Sequence, residues 1–176
     1  APEVPDVDVA RLLKMCVVHD LGEAIGGDVP APEQARRRAL GLSGKSATER
    51  RDLVMLVAPL PPASRDEIVA LWDEYEAGET PAARLAKAAD KLETILQHTE
   101  GKNPSDFDYE FNLGYAREHT RGPAVVAELR ARLDRETERR AAAASADGSG
   151  ADGSGADGSG ADGSGTDGSG TDGSGT

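Results

Sequence analysis

Apolar residues recur at helical spacing through most of the first 140 residues, and nowhere do they alternate with period two over more than a few positions. Val9, Leu12, Leu13, Cys16 and Val17 follow the i, i+3, i+4, i+7, i+8 pattern, which predicts an amphipathic helix over residues 6–24 with Cys16 on its buried stripe. Ser46-Ala47-Thr48-Glu49 has the form of a capping box and introduces a helix with apolar Leu53, Val54, Leu56 and Val57 that ends by Pro59. Ser64-Arg65-Asp66-Glu67 repeats the device before Ile68, Leu71, Trp72 and Tyr75, with Trp72 read as core. Thr80-Pro81 opens a helix whose stripe is Leu85, Ala88, Ala89, Leu92 and Leu96, because proline is well placed at the first helical position. A short basic helix over 33–41 follows the Gly26–Pro32 loop, and a final helix covers about 123–140 after a loop with Phe107, Tyr109 and Phe111. β-branched residues are sparse. The expected fold is all-α, a bundle of about five or six helices.

The pattern stops at Ala146. From there the chain repeats Ala-Asp-Gly-Ser-Gly four times and Thr-Asp-Gly-Ser-Gly twice, ending at Thr176. No position of that pentad can build a core, so residues 146–176 are expected to form a disordered Gly/Ser/Asp tail, and residues 1–145 one compact domain. The nine-residue period and apolar position of calcium-binding β-helix repeats are both missing from it. The six tail aspartates carry half of the formal net charge of −12, and the domain itself stays acidic. An acidic domain argues against a nucleic-acid polymer as partner, since phosphate backbones are bound through basic surfaces. The lone Cys16 excludes an intrachain disulfide. With no signal peptide and no apolar run long enough to cross a membrane, the simplest expected compartment is the cytoplasm, with no membrane partner.

The chemistry concentrates in Val17-Val18-His19-Asp20-Leu21-Gly22-Glu23-Ala24-Ile25-Gly26-Gly27-Asp28. Adjacent His19 and Asp20 offer an imidazole nitrogen and a carboxylate oxygen, a pairing suited to a catalytic divalent metal. Continued at 3.6 residues per turn, the apolar face of the first helix carries Asp20 and Glu23. A carboxylate there is costly unless it is paired, hydrogen-bonded or metal-bound. The residues alone also allow a second reading, in which the helix stops near Gly22, Gly26 and Gly27 and leaves Asp20 and Glu23 in water. Arg36, Arg37 and Arg38 read as a solvated face, and His98 and His119 as surface or loop histidines.

The string His19-Asp20-Leu-Gly-Glu23-Ala-Ile-Gly-Gly-Asp28 resembles the signature of HD-domain phosphohydrolases, and in particular their 5′-deoxynucleotidase branch. Leu71-Trp72-Asp73-Glu74-Tyr75-Glu76 and Ala86-Lys87-Ala88-Ala89-Asp90-Lys91 resemble two further segments of that branch, in the same order, and the likeness spans approximately residues 8–135. The resemblance implies that His19, Asp20 and Asp90 are metal ligands. It implies that Glu23 manages the attacking water and that Asp28 is a second carboxylate near the phosphate and leaving oxygen. Periodicity alone would leave Asp90 in solvent, off the Leu85–Leu92–Leu96 stripe.

The implied reaction is hydrolysis of deoxyribonucleoside 5′-monophosphates with a divalent ion of the Mn2+ or Co2+ class, Mg2+ being the alternative. The implied assembly is a homodimer, with the Phe107–Phe111 loop as an apolar anchor. A non-catalytic nucleotide-binding HD module, or an HD hydrolase of another phosphate ester, stands as the alternative reading. The family cage has a fourth ligand, a histidine on a helix before the His-Asp helix, and none of the eighteen residues before His19 is histidine. The expectation for the chain as written is therefore an amino-terminally short domain with weak metal occupancy and low or no deoxynucleotidase turnover.

Overall fold

The computed structural model describes residue 4 and residues 6–42, 44–104 and 106–149. Among them the chain forms eight helical segments and no strand: α1 (Val9–Val18), α2 (Glu23–Gly26), α3 (Ala31–Ala39), α4 (Lys45–Val57), α5 (Pro62–Ala77), α6 (Pro81–Glu100), α7 (Tyr109–Gly114) and α8 (Ala124–Ser149). The six longer helices match the expected number; the two short ones do not come from stripes. All-α is the observed class. No helix among the described residues is long and apolar enough to cross a membrane.

Side-chain caps set three of the helix starts. Asp8 accepts a hydrogen bond from the Arg11 N–H at 3.0 Å and caps α1, and Thr80 accepts from the Ala83 N–H at 3.1 Å before Pro81 opens α6. Asp108 does the same for Phe111 and starts α7, a helix the sequence reading left as loop. The two capping boxes are not used. α4 begins two residues earlier, at Lys45 after Gly44, and α5 begins at Pro62, neither with a side-chain cap. Glu49 and Glu67, the carboxylates of those boxes, pair instead with Lys45 and Lys14. α5 ends at Gly78, whose φ of 65° is the left-handed cap that glycine adopts without a Cβ clash.

α6 is the axis of the packing, touching α1, α5, α7 and α8. Its small Ala82, Ala83 and Ala86 let α1 and α5 close onto it, and they share a core with Met15, Val18, Leu71 and Tyr75. Trp72 joins Leu53 and Val57 in a second cluster, as core, and Ala88, Leu92 and Val126 form a third under α8.

The first expected helix, 6–24, is broken. α1 ends at Val18, residues 19–22 turn, and α2 starts afresh at Glu23. Its packed stripe is also rotated: Leu12, Met15 and Val18 face α5 and α6, while Leu13 and Val17 stay 60% and 73% exposed and Cys16 is exposed as well. The apolar surface of α1 is wider than the face its neighbours cover, so periodicity found the surface and not the seam. Leu96 on α6 is exposed for the same reason, with Ile95 and Thr99 buried in its place. α8 extends to Ser149, past the expected domain end at 145 and into the first pentad. Residues 150–176 lie outside the described residues.

Candidate metal centre

His19 sits immediately past the end of α1, at a point pinned from three sides. Its N–H donates to the Met15 carbonyl at 3.0 Å, its carbonyl accepts the indole N–H of Trp72 at 3.0 Å, and its Nδ1 lies 3.0 Å from the Cys16 carbonyl. A carbonyl can only accept, so Nδ1 carries the hydrogen and Nε2 is the nitrogen presented outward. Nε2 stands 3.1 Å from Asp20 Oδ2 and 3.8 Å from Asp90 Oδ1. The three residues expected to be ligands therefore converge, although Asp90 comes from α6, seventy residues on.

Asp90 is held firmly. Its Oδ2 accepts the Tyr75 hydroxyl at 2.7 Å and pairs with Lys91 Nζ at 2.8 Å, and the side chain is only 19% exposed. Burial works against its ionisation, but His19, Lys91 and Tyr75 together outweigh it and hold the carboxyl well below the usual range. Burial and the Asp90 charge push the Tyr75 hydroxyl far up, so it stays a donor. His19 shows the complementary effect. Burial opposes its charge, yet the hydrogen bonds to Asp20 and Asp90 push its pKa up to about 10. Asp20 differs from both, its side chain 65% exposed on the open turn.

Glu23 opens α2, its N–H bonded to the Asp20 carbonyl at 2.9 Å. Its Oε1 accepts from Lys45 Nζ at 2.7 Å. Burial raises its pKa above the usual carboxylate range; Lys45 opposes the shift, and the charges of Asp28 and Asp20 add to it. Asp28 is exposed and lies just beyond Gly27, whose φ of 77° lets the chain turn out of α2. Both readings of the carboxylates are thus partly right. The helix does stop and leave Asp20 in water, while Glu23 and Asp90 are half-buried.

Sequence reasoning missed the supports: Tyr75, Lys91, Lys45 and Glu49. Tyr75 could have been found, because a tyrosine on a buried helix face needs a hydroxyl partner. Neither His98 nor His119 joins the centre. His98 is no surface residue; its Nδ1 is 2.8 Å from Asn112 Oδ1 and its ring lies edge-on to Phe107. The aromatic loop is also not a free anchor, since Phe107 packs on Tyr109 and Phe111 on Tyr115, all half-buried. Arg36 and Arg37 are exposed and paired with Glu33, as a solvated face requires.

The donor set suits a divalent ion in kind: one imidazole nitrogen with its other nitrogen fixed, and two carboxylates, one of them open to solvent. The cage is not closed, for among the described residues no three His, Cys, Asp or Glu side chains are drawn together tightly enough to hold an ion. The same two carboxylates, Asp20 and Asp90, are what push the His19 pKa up. A cavity of about 570 Å3 is lined in part by Lys87, whose ammonium sits 4.4 Å over the Tyr75 ring, and by none of the five expected residues.

The sequence model of the HD domain matches residues 1–130. Among curated proteins, 5′-deoxynucleotidase HDDC2 of Danio rerio is 35% identical over 94 residues, covering 53% of this chain and 44% of its own length. The protein of the same name from Dictyostelium discoideum is 32% identical over 118 residues, 66% of this chain and 60% of that one. 5′-Deoxynucleotidase hdd1 of Schizosaccharomyces pombe is 34% identical over 100 residues, 54% of this chain and 48% of its own. The chain thus spans about half the length of the curated relatives it matches. In fold it is similar to the crystal structure of a protein described as a predicted metal-dependent phosphohydrolase from Magnetospirillum magnetotacticum, with a TM-score of 0.60, 28% identity and coverage of 77% of this chain and 68% of that one.

Proposed function

The chain belongs to the HD-domain family, and on that premise we propose that it is a metal-dependent phosphohydrolase that cleaves deoxyribonucleoside 5′-monophosphates to deoxynucleoside and phosphate. The observation that carries the reading is the meeting of His19, Asp20 and Asp90 across seventy residues of chain, with Glu23 on the adjoining helix. The names of the relatives supply the substrate class, and the name of the similar structure supplies the metal dependence.

In this reading His19 Nε2 and the carboxylates of Asp20 and Asp90 hold the divalent ion, of the Mn2+ or Co2+ class, with Mg2+ the alternative. When bound, that ion supplies Lewis acidity toward the phosphoryl oxygen and lowers the pKa of water. The Cys16 carbonyl and the Tyr75 hydroxyl keep the His19 and Asp90 donors aimed. Glu23 takes the proton of the attacking water at a carboxylate oxygen; burial, in raising its pKa from the ordinary value, strengthens it as a base. Water oxygen bonds to phosphorus, the P–O5′ bond breaks with its electron pair leaving on O5′, and the proton that Glu23 took from the water passes to that oxygen; Asp28 is in this reading the second carboxylate near the phosphate and leaving oxygen. A homodimer is the assembly that family resemblance implies, by a surface other than the self-packed aromatic loop.

The test is phosphate release from the deoxynucleoside monophosphates, run beside a wider panel of phosphate esters. Turnover abolished by chelator and restored by Mn2+ or Co2+ is expected. Stabilisation by nucleotide with no turnover would mean a binding module instead, and preference for another ester would move the substrate class.

A further inference from the structure

Lys45 belongs to no motif, yet its ammonium reaches across from α4 to the carboxylate of Glu23 on α2. The two residues are 22 apart in sequence, and Nζ stands 2.7 Å from Oε1. The contact is sheltered: the Lys45 side chain is 38% exposed and that of Glu23 18%. Behind the ammonium stands Glu49, one turn further along α4 and 17% exposed, its Oε1 3.0 Å from Nζ. That oxygen is buried and lies off the hydrogen-bonding angle, so Glu49 steers the ammonium by charge. The backbones are locked at the same place. A Cβ at Gly22 would come within 2.6 Å of the Glu49 carbonyl oxygen, so α2 can begin this close to α4 only with glycine before Glu23.

α2 is four residues long and has no side-chain cap of its own. Nothing within it fixes the Glu23 rotamer. A flexible glutamate on so short a helix would sample several rotamers, and a base misplaced by about 1 Å loses much of its effect. One carboxylate oxygen, Oε1, is engaged by Lys45.

We infer that Lys45, backed by Glu49, is a positioning residue that clamps the Glu23 carboxylate in place for proton transfer. This rests on the activity proposed above. Lys45 does not itself touch the centre formed by His19, Asp20 and Asp90, so it sets the rate of the chemical step and not the affinity for substrate.

The experiment compares kcat and KM for a deoxynucleoside monophosphate at saturating Mn2+ or Co2+. Lys45→Met should lower kcat by ~10–100-fold, the range for supports one step removed from a reacting group, with KM nearly unchanged. Lys45→Arg should restore most of the rate, and Glu49→Gln should lose several-fold. Glu23→Gln combined with Lys45→Met should be no slower than Glu23→Gln alone. An unchanged kcat in Lys45→Met, a rise in KM alone, or a double variant slower by the full Lys45 factor overturns the inference. If Lys45→Met fails to fold, Lys45→Arg and Glu49→Gln decide, and unchanged kcat in both is against it. An unsubstituted chain that releases no phosphate when metal-loaded defeats the proposed activity instead. The clamp is then judged by chemical-unfolding midpoints of the two single variants and the double: coupled losses support it, and additive ones overturn it.

Discussion

Arg130 and the His19–Asp90 pair are both charges taken out of water, and they are finished in opposite ways. The Arg130 guanidinium, 4% exposed on α8, has five N–H groups and spends each of them. It donates to the carbonyls of Tyr115, Asn112 and Leu113 at 2.6, 3.0 and 2.9 Å, to Thr120 Oγ1 at 3.2 Å and to Asp134 at 2.7 Å. It closes the end of α7 and ties the following loop to α8. At the other cluster Asp20 is mostly in solvent, and Nε2 of His19 stands 3.1 Å from one carboxylate and 3.8 Å from another. A saturated charge has no lone pair or hydrogen left for a ligand, whereas an unsaturated one does. The first cluster is architecture and the second is where chemistry can happen.

The sharpest way to break that distinction is to remove one member of the open cluster. Asp20→Ala deletes an exposed carboxylate, so the melting temperature should move by no more than a few degrees. Phosphate release should fall by more than ~100-fold, because loss of a metal donor exceeds the cost of losing its support. Full turnover in Asp20→Ala would remove Asp20 from the ligand set.

Arg130→Met should do the reverse. Three carbonyls, a hydroxyl and Asp134 lose the buried guanidinium at once, with only Leu113 O and Asp134 keeping Arg117 as a partner, and the expected loss is about 3–5 kcal/mol in chemical unfolding. Turnover per folded molecule should stay near that of the unsubstituted chain. A loss under about 1 kcal/mol would mean that water replaces the guanidinium and that Arg130 is no clamp.

The third contrast is with pH, in the metal-free chain. The pKa of His19 is raised to about 10, so its contribution to stability is complete below its ordinary pKa and is lost as pH rises through 10. That of Asp90 is lowered, so its contribution is present above the ordinary carboxylate pKa and is lost as pH falls through the depressed value. The pair therefore supports the fold best between about pH 4 and 6.5, and stability should decline from there toward pH 10. Melting temperatures in chelator at pH 5, 7 and 9 should fall in that order, and His19→Gln should flatten the decline. Identical slopes in the two proteins would detach His19 from it.

How much of this was legible in the sequence follows from the same contrast. The motif string named His19, Asp20, Glu23 and Asp28 because ligand-type residues crowd into twelve positions. Asp90 was reachable only through resemblance: its own helix pattern puts it in solvent, and its partners Tyr75 and His19 arrive from α5 and from the turn after α1. Arg130 left no trace at all. A guanidinium whose acceptors are backbone carbonyls looks like any surface arginine until the loop that brings Tyr115 and Thr120 has folded. The helices themselves were readable from period and caps where the cap was Thr80 before Pro81. They were misread where a four-residue helix, or the wide apolar face of α1, had its boundaries decided by packing.

The comparison turns on saturation and burial, so a charge with neither should matter least, and Arg36 on α3 is such a charge. It holds Glu33 through two N–H bonds at 2.7 and 2.9 Å, a good geometry on paper. The pair is in solvent, where water competes for both partners and two flexible side chains must be ordered to make it. Arg37 also binds Glu33, at 2.8 Å, and takes over when Arg36 is gone. Arg36→Ala should therefore leave phosphate release unchanged within twofold or so and shift the melting temperature by less than about 1 °C. A large fall in turnover would instead bring the arginine run to the substrate phosphate. The reach of the centre would then extend past Asp28 and along α3.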